Sequence, residues 1–215
     1  EFRRVLFRSR RCKQGQFWID APHRALSNNS VCYTEKPDFE AFLKEWHSLY
    51  KSRSGERGVF SREASKKQAA RNGRRDTDYE FGTNPCSEII LRPNQFCNLS
   101  EVIVRQDDTL DTLKKKVEYA TILGTLQATL TDFRYLRPKW KKNTEEEALL
   151  GVSLSGIKDH PELSGANIRD DLSDESDLAA WLCELREVAV ATNKKWAKKL
   201  GINQSAAVTC VKPSG

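Results

Sequence analysis

The stretch NPCSEIILRPNQFC, residues 84–97, sets an amide, a thiol and a carboxylate at alternate positions, Asn84, Cys86 and Glu88, and adds a second thiol at Cys97. In an extended segment, side chains two apart point the same way, so the three would face one substrate. Pro85 favours an extended conformation at Asn84 and excludes a helix interior there. An amide can hold a diol, and a carboxylate can take a proton from a hydroxyl. The thiol between them can act as a nucleophile or as a hydrogen-atom donor. Thiol nucleophiles are commonly activated by histidine. None lies within twenty residues of Cys86 in sequence, which tilts the reading towards redox or radical chemistry. A turn at 92–95 would fold a second strand back beside the first and bring Cys97 near the same substrate. Spacing alone leaves the ordinary alternative open, two unremarkable cysteines on a hairpin.

The elements that must position these residues alternate between helix and strand. Phe39, Phe42, Leu43, Trp46, Leu49 and Tyr50 recur at three- and four-residue spacing, with Pro37 and Asp38 at the start. This pattern predicts an amphipathic helix over 37–52 whose aromatics belong to the core. Residues 52–86 read as a long polar connector. Ile89, Ile90 and Leu91 predict a short strand and 96–104 a second one. A long helix is expected from Asp111 through Leu113, Val117, Leu123, Leu126 and Leu130 to Phe133, with Gly124 at mid-span. EEEALLGVSLSGI turns from a charged segment into an apolar, glycine-flanked strand. The clearest helix carries Leu178, Leu182, Leu185, Ala189, Thr192 and Trp196 on one face and stops at Gly201, with Cys183 expected as a small buried hydrophobe. AAVTCV, 206–211, predicts a buried strand. Helices alternating with short apolar strands indicate an α/β fold.

Apolar residues make up 38% and charged residues 31% of the 215, the balance of an ordinary globular chain. Six cysteines without a secretory pattern point to a reducing cytoplasm, and their spacings with the three scattered histidines do not suit a structural zinc site. There is no run of 18 apolar residues, so no membrane span is expected. The first nine residues, EFRRVLFRS, read back as a common short-read sequencing adapter translated in frame, and are expected to be an assembly artefact. Removing their three Arg and one Glu takes the formal charge from +6 to +4. The remaining charge suits an anionic small ligand, and without a recognised module it does not favour nucleic acid.

Five ordered blocks carry a resemblance. RALSNNSVCYTEKPDFEAF, SGERGVFSREA, FGTNPCSEIIL…QFCNLSEV, RYLRPKW…EEEALLGVSLSGI and AVTCVKPSG all resemble the monomeric, adenosylcobalamin-dependent class of ribonucleoside-triphosphate reductases. The similarity covers about residues 11–215. It implies a partial catalytic domain over 10–215, part of a ten-stranded α/β barrel with a central active-site loop. The same resemblance implies that Cys86 is the thiyl radical, formed with adenosylcobalamin, which takes the ribose 3′ hydrogen. Glu88 would receive the 3′-hydroxyl proton, and Asn84 would bind the ribose hydroxyls. Cys97 would be one of two reducing thiols, its partner lying upstream of this fragment. Pro213, Ser214 and Gly215 resemble the start of a turn that binds substrate phosphates at a helix N-terminus.

By the same resemblance the partners are a ribonucleoside triphosphate, a deoxynucleotide effector and thioredoxin. The effector site and most of the cobalamin site are expected outside the fragment, which alone should be inactive and poorly folded. A di-iron or glycyl-radical ribonucleotide reductase is the nearest alternative. A catalytically dead nucleotide-binding relic of the same fold is another.

Overall fold

The computed structural model describes residues 13, 16–26, 30–53, 58–71, 73–165 and 177–212. Residues 1–9, read above as an artefact, lie outside them. The chain divides into two compact units, Glu1–Ile90 and Leu91–Gly215.

The first unit opens with a one-turn helix α1 (Phe17–Asp20) and a 3₁₀ turn at Pro22–Leu26. Strand β1 (Ser30–Tyr33) pairs in parallel with β2 (Gly58–Ser61), in register Val31 to Val59. Between them runs α2 (Phe39–Ser52), where Asp38 is the N-cap and its side chain accepts from Ala41 N at 2.8 Å. The expected helix is present, but its aromatic stripe is not core. Phe39 is 77%, Trp46 57% and Tyr50 74% exposed, and of the stripe Phe42 alone meets a ring of β1, that of Tyr33 at 6.5 Å, among the contacts of the described residues.

The stretch read as a polar connector holds β2 and then α3 (Arg62–Ala70), capped by the Ser61 hydroxyl accepting from Ala64 N. Its charged composition hides the helix, which needs only Ser65 and Ala69 on its inner side. Arg62 donates to Phe81 O at 2.9 Å and to Thr34 Oγ1 at 3.0 Å, fixing the segment that leads to the short strand β3 (Gly82–Thr83). Phe81, fully buried, packs beside Tyr79 and under the Arg75 guanidinium. Strand β4 (Ile90–Leu91) pairs with β3.

The second unit is a run of parallel strands joined by helices. Strand β5 (Asn98–Ile103) leads through α4 (Leu110–Gln127) and α5 (Pro138–Glu147) to β6 (Leu150–Ser155). From there α6 (Asp177–Leu200) returns the chain to 206–210. β5 and β6 pair in parallel, Asn98 opposite Leu150. On its other edge β6 donates from Val152 N to Val208 O and accepts at Val152 O from Cys210 N, so the segment expected as a buried strand over 206–211 meets the sheet through an isolated parallel bridge at Thr209, with Ala206 and Val208 buried but Thr209 and Val211 exposed. A central parallel strand is covered on both faces, and residues 150–154 are all buried.

Helix α4 starts at a capping box built from Thr109 and Thr112 and ends at Gln127, short of the expected Phe133. Leu113 and Val117 enter the core, whereas Leu123 and Leu130 stay exposed. Gly124 lets the helix approach the sheet: a β-carbon there would sit 3.4 Å from both a Leu150 methyl and the Ser100 hydroxyl. Helix α6 buries Leu185, Ala189 and Thr192 as the periodicity predicts, while Leu182 and Cys183 are exposed. Cys183 lies one position off the buried stripe, which puts it on the outer side. Asn193, wholly buried, donates to Thr125 and Ser205 and accepts from Ser205 N, tying α6 to α4 and to the segment that leads into 206–210. Among the described residues no helix is long and apolar enough to cross a membrane.

Candidate active site

Residues 84–88 form the tight loop between β3 and β4. Pro85, with its fixed φ, takes the second position of a β-turn, closed by Ser87 N donating to Asn84 O at 3.0 Å. Ser87 has φ +68°, a left-handed conformation that a non-glycine residue adopts at a cost. The extended arrangement expected for Asn84, Cys86 and Glu88 is therefore replaced by a turn. Proline favours the second turn position as readily as it favours an extended neighbour.

The neck of this loop is tied by Asn84 itself. Its backbone N donates to Ile89 O at 3.3 Å, and its Oδ1 accepts from Ile89 N at 3.0 Å and from Thr83 Oγ1 at 3.4 Å. The side-chain oxygen is thus used in holding the loop. Cys86 stands at the exposed tip. Glu88 is half-buried, and its Oε2 is buried without a hydrogen-bond partner among the described residues. A carboxylate oxygen in that state is costly to keep and is relieved by a hydroxyl donor. The turn thus presents three groups in one short loop: a thiol outward, an amide N–H at the neck and an unsatisfied carboxylate behind.

Cys97 belongs to the second unit. The turn at 92–95 forms, with Asn94 at φ +60°, yet β4 pairs with β3 and β5 with β6. The hairpin expected to return the second strand to the first is absent, because the parallel partner of β5 comes from over fifty residues downstream. Cys97 is half-buried just before β5. Pro213, Ser214 and Gly215 lie outside the described residues. The chain is described as far as Lys212, whose N donates to Ser153 Oγ at 3.0 Å and whose ammonium lies 3.7 Å from Glu101.

The segment leading to Cys97 is held by residues that the sequence reading passed over. Arg92, 6% exposed, pairs with Glu147, 2% exposed, at 3.2 Å and with Glu146 at 2.8 Å. Gln95 Nε2 donates to Glu147 Oε2 at 2.6 Å and to Asn143 O at 3.1 Å, and its Oε1 accepts from Arg92 N at 2.8 Å. In sequence these polar residues look like an ordinary turn and an ordinary charged helix. The one available signal was Pro138, which opens α5 at its first position.

Among the described residues no group of three or more His, Cys, Asp or Glu could hold a metal ion. A cavity of about 230 Å³ in the second unit is walled by Ala128, Glu145, Ala148, Ile202 and Asn203. Sites for drug-sized ligands run to ~300–1,000 Å³, and a corrinoid is larger than such ligands. That cavity contains none of the candidate residues, so it does not fit the expected cofactor.

The fold is that of a class II reductase barrel in part. The chain matches a solved B12-dependent (class II) ribonucleotide reductase with a TM-score of 0.66, at 24% identity, over 97% of this chain and 31% of that one. In sequence it is 28% identical over 222 residues to the adenosylcobalamin-dependent ribonucleoside-triphosphate reductase of Lactobacillus acidophilus and 30% identical over 221 residues to that of Lactobacillus gasseri, in each case over 90% of this chain. The enzyme of the same name from Lacticaseibacillus paracasei is 32% identical over 143 residues. No protein-family model matches the chain. The chain is a relative of the adenosylcobalamin-dependent ribonucleoside-triphosphate reductases, and it spans about 28% of the length of the first two.

Proposed function

We propose that this chain carries the active-site loop of a ribonucleoside-triphosphate reductase, and that Cys86 is its radical-bearing thiol. The observation that carries the reading is the 84–88 turn, with Cys86 exposed at the tip and Glu88 Oε2 buried and unpartnered behind it. The relatives' name supplies the substrate class and the cofactor. Adenosylcobalamin, when bound by the whole protein, would supply the carbon radical that accepts the Cys86 hydrogen atom.

The chain's own residues then divide the work. The Cys86 thiyl takes the ribose 3′ hydrogen. Glu88 Oε2 accepts the 3′-hydroxyl proton, a role left open by the lack of a donor to that oxygen among the described residues. The Asn84 amide N–H₂ donates to a ribose hydroxyl while its oxygen keeps the loop closed. Cys97 and a second thiol give up two electrons and two protons as the 2′-hydroxyl departs as water, leaving a disulfide, and the 3′ hydrogen returns from Cys86. Thioredoxin would then reduce that disulfide in the intact protein, a deoxynucleotide effector would set substrate choice, and the phosphate grip would come from Pro213, Ser214 and Gly215.

The test is deoxynucleotide formation by the complete protein with adenosylcobalamin, a ribonucleoside triphosphate and a dithiol. Cys86→Ser should abolish product, Cys97→Ser should abolish repeated turnover, and Glu88→Gln should slow the reaction by ~10²–10⁴, the usual contribution of a positioned acid or base. Product formation that survives Cys86→Ser sinks the reading.

A further inference from the structure

We infer that the junction of α5 with β6 is a fixed mount for the Cys97 thiol, with Gln95 and Thr144 as its positioning residues. The inference rests on the reading of Cys97 as a reducing thiol. A thiol that must meet a substrate and a second sulfur in turn depends on orientation, and small displacements cost rate. Yet 92–97 has no regular secondary structure to hold it.

Side chains supply what the backbone ladder does not. Arg92 N donates to Gln95 Oε1 and closes the turn. Asn143 Nδ2 donates to Pro93 O at 2.8 Å, clasping the turn from α5. Gln95, 4% exposed, uses its oxygen and donates from Nε2 to both Asn143 O and Glu147. Immediately before the thiol, Phe96 N donates to Thr144 Oγ1 at 3.3 Å, and its ring lies 5.1 Å from Phe133 and 4.7 Å from Trp140. Immediately after it, Asn98 donates from N and from Nδ2 to Leu149 O, at 2.9 and 3.2 Å. Both neighbours of Cys97 are bonded to one short stretch, 144–149, while Cys97 itself stays half-exposed.

A polar network this buried, bonded at both polar atoms of the Gln95 side chain while Arg92 Nε lacks a hydrogen-bond partner among the described residues, favours one arrangement where apolar packing would tolerate several. The main apolar cluster of the unit takes in Ala148 of the same stretch and continues through Val102, Val104, Leu113, Leu150, Val152 and Leu185 among others. The polar network ties the approach to β5, and the residue it delivers, to the edge of that core.

The experiment measures, in the complete protein, the rate at which a neutral disulfide reagent modifies each cysteine of this segment from pH 6 to 10, resolved by peptide mass. It compares wild type, Thr144→Val, Thr144→Ser and Gln95→Leu. Thr144→Val should raise the Cys97 rate about fivefold, the population change expected from losing one net hydrogen bond, and shift the midpoint of its pH profile. Cys210, in the same unit, should stay within about twofold by the same argument. Thr144→Ser, which keeps the hydroxyl, should return both rate and midpoint to wild type. An unchanged Cys97 rate and midpoint in Thr144→Val overturns the mount. So does a parallel rise at Cys97 and Cys210, which would mean general loosening. Gln95→Leu should show the larger effect, and Thr144→Val decides the matter if Gln95→Leu does not fold. No ribonucleotide enters this assay, so a positive result together with an inactive complete enzyme would refute the proposed reaction and leave the mount standing.

Discussion

Removing Arg92 should cost far more than neutralising its buried partner Glu147, although the two form one ion pair. Arg92→Met takes away the guanidinium 3.2 Å from a carboxylate that is 2% exposed. A buried pair broken from one side costs ~3–5 kcal/mol, because the remaining charge is stranded. Glu147→Gln is different. It keeps the shape of the side chain, and Arg92 retains Glu146 at 2.8 Å, a carboxylate that is 42% exposed and already solvated. The loss should then be that of a hydrogen bond or two, ~1–2 kcal/mol. The difference, ~2–3 kcal/mol, corresponds to a factor of roughly 30–150 in the opening equilibrium. The assay is native-state amide exchange at Asn98 N and Leu150 N, bonded respectively to Leu149 O and Ala207 O, which report opening on the two sides of β6. Arg92→Met should accelerate both by that factor more than Glu147→Gln does. Equal acceleration by the two variants, or a larger effect of Glu147→Gln, would refute the account of Glu146 as the second partner.

Three further outcomes follow from other parts of the structure. Burial pushes the Asp108 carboxyl up, but hydrogen bonds from Lys116, Arg105 N and Thr112, and the charge of Lys116, outweigh it and hold the group below the ordinary carboxylate range. A depressed acid stabilises the fold above its unfolded value, ~3.9, and that contribution disappears as pH falls through the folded value. Asp108→Asn should therefore be less stable than wild type at pH 7 in urea titrations, and the gap should narrow as pH falls below the ordinary aspartate value of ~3.9; a gap that is independent of pH would contradict this. Gly124→Ala places a methyl at van der Waals distance from Leu150 and gains helix propensity of ~1 kcal/mol, so thermal melts should show a small rise, whereas Gly124→Leu should overpack and lose ~1–3 kcal/mol. Ser87→Val, a branched side chain at φ +68°, should make the 84–88 loop more susceptible to limited proteolysis, and Ser87→Gly should not; the reverse order would mean that the turn is not the conformation in solution.

Much of the second unit was legible because its signals are strong. The apolar run after EEEA lies across the middle of a parallel sheet, and the 3.6-residue stripe of Leu185, Ala189 and Thr192 faces a real core. Periodicity names the face of a helix that is apolar, and it does not name what covers that face. This is why the stripe of α2 was read correctly as a helix and incorrectly as core. Helices α3 and α5 escaped because they bury mostly short or polar residues, Ser65, Ala69, Asn143, Thr144 and Glu147, which carry no hydrophobic signature. The candidate site divides in the same way. Residue types identified Asn84, Cys86, Glu88 and Cys97, since chemistry is written in side chains. Their geometry was not legible, because Pro85 permits two backbone outcomes and only the hydrogen bond from Ser87 N selects the turn. The partners of Gln95 sit some fifty residues away, beyond the reach of any local pattern.

The placement of β6 between two parallel neighbours has a mechanical consequence. The chain enters the sheet at Asn98, the start of β5, and leaves it near Cys210, the end of the last segment. In parallel strands those two points lie at opposite ends of the sheet. Tension applied between them would load the evenly spaced hydrogen bonds on both edges of β6 in shear, all together, where a hairpin would open one bond at a time. The second unit should accordingly resist stretching along its strands while peeling easily from either outer edge.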